Sequence, residues 1–120
     1  MFTKKEQKFI KRCIKFEGIA DKVGGVTREY VGMIFRGERD MKSPKAQQIF
    51  LEFQNILEEL YAKEGIPIFA LITKIENDLN AVVRFSSYQM ALDFLSKKKD
   101  AENYYIEKQK YNGKHWTSVV

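Results

Sequence analysis

A break at Gly65-Ile66-Pro67 separates two stretches with different hydrophobic rhythms, and no single regular element can run through it. Upstream, Ser43-Pro44 offers a capping hydroxyl followed by proline at a first helical position. Ala46, Ile49, Phe50, Phe53, Ile56, Leu57 and Leu60 then recur at helical spacing, which predicts a long helix to about Lys63. Downstream, Ile68-Phe69-Ala70-Leu71-Ile72-Thr73 is apolar and β-branched enough for a strand, and Ala81-Val82-Val83-Arg84-Phe85 for another. Glu76-Asn77-Asp78 between them has turn chemistry. The change of period places a domain boundary between residues 64 and 65, giving units 1–64 and 65–120.

The first unit reads as four helices. Thr3 and Glu6 have the spacing of a capping box, and Phe9, Ile10, Cys13 and Ile14 supply a buried stripe. Lys4, Lys5, Lys8, Lys11, Arg12 and Lys15 coat the other side. Gly18 is expected to break this helix, and a second short one is expected from Ile19 to Val23, with Ala20 small enough for close packing. Gly24-Gly25 gives a tight turn, Thr27 a hydroxyl N-cap, and Gly37 a left-handed stop. Val26 and Val31 stand at staple positions. The helix between them is about ten residues, too short to persist alone. Val31, Ile34 and Phe35 share one face and can dock on a core, leaving Arg28, Glu29, Met33 and Arg36 pointing elsewhere.

The second unit reads as β-β-α-β-β. Ser86 and Gln89 are spaced as a capping box, and Tyr88, Ala91, Leu92 and Leu95 form a helical stripe ending in Lys97-Lys98-Lys99. Tyr104–Lys108 and His115–Val119 flank Asn112-Gly113, a strong hairpin signal. The expected class is therefore α+β: an N-terminal helical domain followed by a small β-β-α-β-β module with an antiparallel sheet. Tyr88, Tyr104, Tyr105, Tyr111 and Trp116 are expected to pack the sheet, since no basic residues interleave them as on a strand-stacking surface.

Charge narrows the function. Residues 1–45 hold twelve lysines and arginines against six carboxylates, so the positive excess of the chain sits in its first third and favours a polyanionic partner. No apolar run reaches the roughly 18 residues of a membrane span, and Met1–Glu6 lacks a signal-peptide run, so a cytoplasmic protein with no membrane partner is expected. Lone Cys13 can form no internal disulfide. One histidine, His115, and one cysteine make neither a zinc site nor a nucleophile–base dyad, and no glycine-rich loop cradles a nucleotide. Neither enzymatic activity nor a cofactor is expected.

The run Ile19-Ala20-Asp21-Lys22-Val23-Gly24-Gly25-Val26-Thr27-Arg28-Glu29-Tyr30-Val31-Gly32-Met33-Ile34-Phe35-Arg36-Gly37 resembles the lambda-repressor-like, or XRE/Cro, helix-turn-helix family. Arg39-Asp40-Met41-Lys42-Ser43-Pro44-Lys45-Ala46 resembles that family's link into its next helix, so the likeness covers residues 4–62. The doubled Gly24-Gly25 adds one residue before the turn, and Gly32 stands where the family often has a small polar residue. The resemblance implies a four-helix helix-turn-helix domain in which Thr27, Arg28, Glu29 and Met33 meet base edges and adjacent phosphates. Arginine geometry suits guanine O6 and N7, a carboxylate can accept from cytosine N4, and a methionine can pack on a thymine methyl. Lys22, Arg36, Arg39, Lys42, Ser43 and Lys45 are the expected phosphate contacts.

These expectations describe a sequence-specific double-stranded DNA-binding regulator, a repressor or autoregulator, acting as a dimer on a pseudo-palindrome. Residues 65–120 are the candidate dimerisation module, with Lys114–Val120 as an edge strand and Leu51 and Phe53 as further interface residues. Two alternatives stand beside it. In one, the chain is an antitoxin-like component whose C-terminal module binds a partner protein. In the other, that module holds a small ligand.

Overall fold

A computed structural model describes residues 2–74 and 81–119, with the backbone alone at 81 and 82. The chain is α+β, its helices preceding a four-stranded antiparallel sheet, and it divides into two compact units, residues 1–57 and 58–120. The Glu76-Asn77-Asp78 turn lies outside the described residues. Among the described residues no helix is long and apolar enough to cross a membrane.

In the first unit, α1 (Lys4–Cys13) opens on the Thr3/Glu6 capping box: Glu6 N–H donates to Thr3 Oγ1 at 3.1 Å and Thr3 N–H to Glu6 Oε1 at 2.8 Å. That reciprocal pair satisfies the Glu6 carboxylate, which is why a charged side chain is buried here. Ile10 is buried, but Cys13 at the helix end is exposed, contrary to the stripe expected from spacing. Gly18 breaks nothing. The chain turns instead at Ile14 and Lys15, both extended, and α2 runs Phe16–Val23 with Gly18 inside it. A Cβ at Gly18 would touch Ile14 at 3.4 Å, so the glycine gives Ile14 room. Then α3 spans Arg28–Phe35, and α4 (Pro44–Glu64) begins in this unit, its residues from Glu58 onward belonging to the second.

The core of this unit is aromatic. Phe53 on α4 is fully buried, with ring centroids of Phe35, Phe2 and Phe16 at 5.4, 5.8 and 6.1 Å, each edge-to-face. Burying such a ring stabilises by roughly 1.5–3 kcal/mol. Phe53 therefore has no surface to offer a second chain, which overturns its expected interface role, while Leu51 is half-buried. Gly32 on α3 is buried too. A Cβ there would come within 3.6 Å of the Phe16 ring and 3.0 Å of Arg36 Nη1, so the missing side chain lets α3 close on Phe16.

In the second unit, β1 (Ile68–Thr73), β2 (Ala81–Phe85), β3 (Tyr104–Tyr111) and β4 (Trp116–Ser118) form an antiparallel sheet in the order β2-β1-β3-β4. Helix α5 (Tyr88–Ser96) lies on the face of Phe69 and Phe85, its Tyr88 and Phe94 rings 5.9 and 5.2 Å from theirs. Its cap is Ser87, not Ser86: Met90 N–H donates to Ser87 Oγ at 3.2 Å. Ser86 is buried with its hydroxyl on Met90 Sδ, and Gln89 pairs with Asp93 rather than with a cap. Of the expected stripe Ala91 is buried and Leu95 half-buried, Met90 is buried beside them, and Tyr88 and Leu92 are 52% and 39% exposed.

On the opposite face Arg84 reaches across β1. Its Nε donates to Gln109 at 2.9 Å and its Nη1 to Glu58 at 2.7 Å, with the guanidinium 5.3 Å from the Trp116 ring centroid. Ala70 stands between Arg84 and Glu107 in the register, and its single methyl leaves that path open. The β3–β4 connection is longer than a two-residue turn. Asn112 Oδ1 accepts from Lys114 and His115 N–H at 2.9 and 2.8 Å, and Gly113 has φ +97°.

Candidate nucleic-acid interface

Three short segments meet around α3: the end of α2, the turn at Gly24–Val26, and the start of α4. Thr27 caps α3, its Oγ1 accepting from Tyr30 N–H at 3.1 Å. Val31, Ile34 and Phe35 are buried beneath the helix. Gly37 at φ +72° ends it, with Glu38 N–H on Met33 O at 2.8 Å and Gly37 N–H on Ile34 O at 3.1 Å, a Schellman closure. So fixed at both ends and underneath, α3 turns Arg28, Glu29, Met33 and Arg36 outward, all exposed.

The expected base-reading residues thus share an open surface, and Arg28 is already held on it. Its Nη1 donates to Glu17 Oε1 at 3.0 Å and its Nη2 lies 3.7 Å from Glu29 Oε1. Exposed pairs of this kind contribute little stability. The sequence reading missed Glu17. It is eleven positions from Arg28, and a second helix starting at Ile19 leaves it outside any helix.

The expected phosphate contacts fall into two groups. Lys22 pairs with Glu52 at 2.8 Å, Arg36 with Glu38 at 2.9 Å, and the Lys45 ammonium donates to the Val23 and Gly24 carbonyls at 3.1 and 2.9 Å. These three cations are engaged within the chain. Arg39 lies over the Tyr30 ring, 5.2 Å from its centroid, and Lys42 is exposed. Ser43 caps α4, accepting from Ala46 N–H at 3.0 Å, and its hydroxyl lies 3.2 Å from that of Tyr30. A shallow groove lined by Gly25, Val26, Thr27, Tyr30, Ser43, Pro44 and Lys45 therefore has the N-terminal ends of both α3 and α4 on its wall. Free backbone N–H groups and the positive dipole ends make such a groove hospitable to an anion.

A second groove, lined by Lys11, Ile14, Lys15, Phe16, Glu17 and Arg28, brings two cations of the first helix region beside Arg28. Lys4, Lys8, Arg12 and Lys15 make no ion pair among the described residues. Also among the described residues, no group of three His, Cys, Asp or Glu side chains is arranged to hold a metal ion. No protein-family model, curated protein or solved structure matches the chain.

Proposed function

We propose that this chain is a sequence-specific duplex-DNA-binding regulator of the lambda-repressor-like helix-turn-helix type, with α2 and α3 as the motif and α3 as the helix that enters the major groove. The observation that carries the reading is α3 itself. It is capped by Thr27, closed by Gly37 and anchored by Val31, Ile34 and Phe35, while Arg28, Glu29 and Met33 stand exposed together. Arg28, braced by Glu17, is the guanine reader, and Glu29 and Met33 contact the neighbouring bases. Arg39, Lys42 and Ser43 at the approach to α4 take the phosphate backbone, with the basic residues Lys11 and Lys15 adding to the field.

One helix reads only a few base pairs, so the protein acts as a dimer on a pseudo-palindrome. In the C-terminal unit the exposed apolar side chains support that role: Tyr88 and Leu92 stand one turn apart on α5. The same two side chains support the second reading, an antitoxin-like component that buries them against another protein. Selection from a randomised duplex pool with the full chain tests the proposal, and a palindromic motif is the expected product. Recovery of no motif overturns it. Sedimentation over a concentration series separates a self-associating chain from one that stays monomeric until a partner protein is added.

A further inference from the structure

Helices α2, α3 and α4 each end on glycine, and α2 ends differently from the other two. The ends of α3 and α4 are closed by Schellman bonds, Glu38 N–H to Met33 O at 2.8 Å and Ile66 N–H to Tyr61 O at 3.0 Å. At the end of α2, Gly24 N–H reaches Ala20 O at 2.9 Å, but among the described residues Gly25 and Val26 donate no such bond back. The reason lies in the backbone. Gly24 at φ +77°, ψ 144° and Gly25 at φ +71° turn the chain away from the helix axis, so its last carbonyls need another donor.

We propose that Lys45 is that donor and that it is a positioning residue for α3, not a phosphate contact. Its ammonium bonds the Val23 and Gly24 carbonyls at 3.1 and 2.9 Å and lies 4.0 Å from where a Cβ on Gly25 would stand. A cation at this place also meets the negative end of the α2 dipole. Two residues earlier, Ser43 places its hydroxyl 3.2 Å from that of Tyr30 on α3. The first turn of α4 is thus a clasp, holding the end of α2 through Lys45 and the flank of α3 through Ser43. It fixes the angle between the two helices across a doubled glycine that has no side chains to fix it.

Lys45→Met removes the donors and keeps the length, and Lys45→Arg keeps both charge and donors. Amide exchange by NMR tests the clasp without DNA: exchange at Gly24 and Tyr30 rises about tenfold in Lys45→Met, with core α4 amides unchanged as the folding control. Wild-type rates return in Lys45→Arg. The DNA arm rests on the proposed function. There Lys45→Met narrows the ratio of affinities for selected and scrambled duplex about tenfold while the slope of log K against log salt stays put. Unchanged exchange overturns the inference. So does a slope reduced by about one with the ratio retained, the signature of a lost phosphate contact. If the wild-type chain prefers no duplex, the functional proposal fails and the exchange rates alone decide the clasp.

Discussion

Helices α3 and α5 are built to the same plan and present opposite chemistry. Each is short, eight and nine residues, and each is capped by a hydroxyl accepting from the third helical N–H, at 3.1 and 3.2 Å. Beneath α3 lie Val31, Ile34 and Phe35, the last packed into a cluster of phenylalanine rings; beneath α5 lie Met90 and Ala91. Outward, α3 carries Arg28, Glu29, Met33 and Arg36, with Arg28 bridged to another helix. Outward, α5 carries Tyr88 and Leu92 beside a local Gln89–Asp93 bond. A capped and anchored short helix is therefore a mounting, and the side chains it turns outward decide whether a polyanion or an apolar surface fits it.

The anchors give the largest test of that contrast. Phe35→Ala removes a buried ring and is expected to cost about 3–5 kcal/mol in urea unfolding. Ala91→Leu, which overfills the smaller seat of α5, is expected to cost about 1–3 kcal/mol. The outward faces come next: Arg28→Ala is expected to lose about 1–3 kcal/mol of discrimination at one base pair, whereas Tyr88→Ala leaves the base preference unchanged in the same selection. The caps, being alike, respond alike. Thr27→Ala and Ser87→Ala are each expected to cost about 1 kcal/mol by thermal unfolding, and only the first weakens DNA binding. Smallest is Lys42→Gln, expected within about 0.5 kcal/mol of wild-type stability but lowering the salt slope of binding by about one.

Elements declared by local chemistry were legible in the sequence: the Thr3/Glu6 box, the Thr27 cap, the Gly37 and Gly65 stops, and β1 and β2 over the expected residues. What escaped depends on packing and burial that spacing alone does not show. Gly18 looks like a breaker until Phe16 is seen to belong to the core, which holds α2 together three residues earlier than expected. Ser86 and Ser87 are equivalent cap candidates by composition. Burial of Ser86 against Met90 leaves the cap to Ser87, and Met90 rather than Tyr88 is buried with Ala91. At the candidate interface, the exposure of Arg28, Glu29 and Met33 follows from helical spacing, but the engagement of Lys22, Arg36 and Lys45 within the chain does not. Their partners Glu52, Val23 and Gly24 are brought close by packing, and Glu38 by the closure of α3.

The central claim is that α3 reads sequence through Arg28, and fluorescence-anisotropy titration tests it most directly. Wild type and Arg28→Ala are each titrated against the selected duplex and its single-base variants at several salt concentrations. The account predicts that wild type discriminates at the guanine position and that Arg28→Ala binds every variant there alike while keeping its preferences elsewhere. Equal discrimination by the two proteins at every position would contradict it, and would leave Arg28 and Glu17 as a surface ion pair and nothing more.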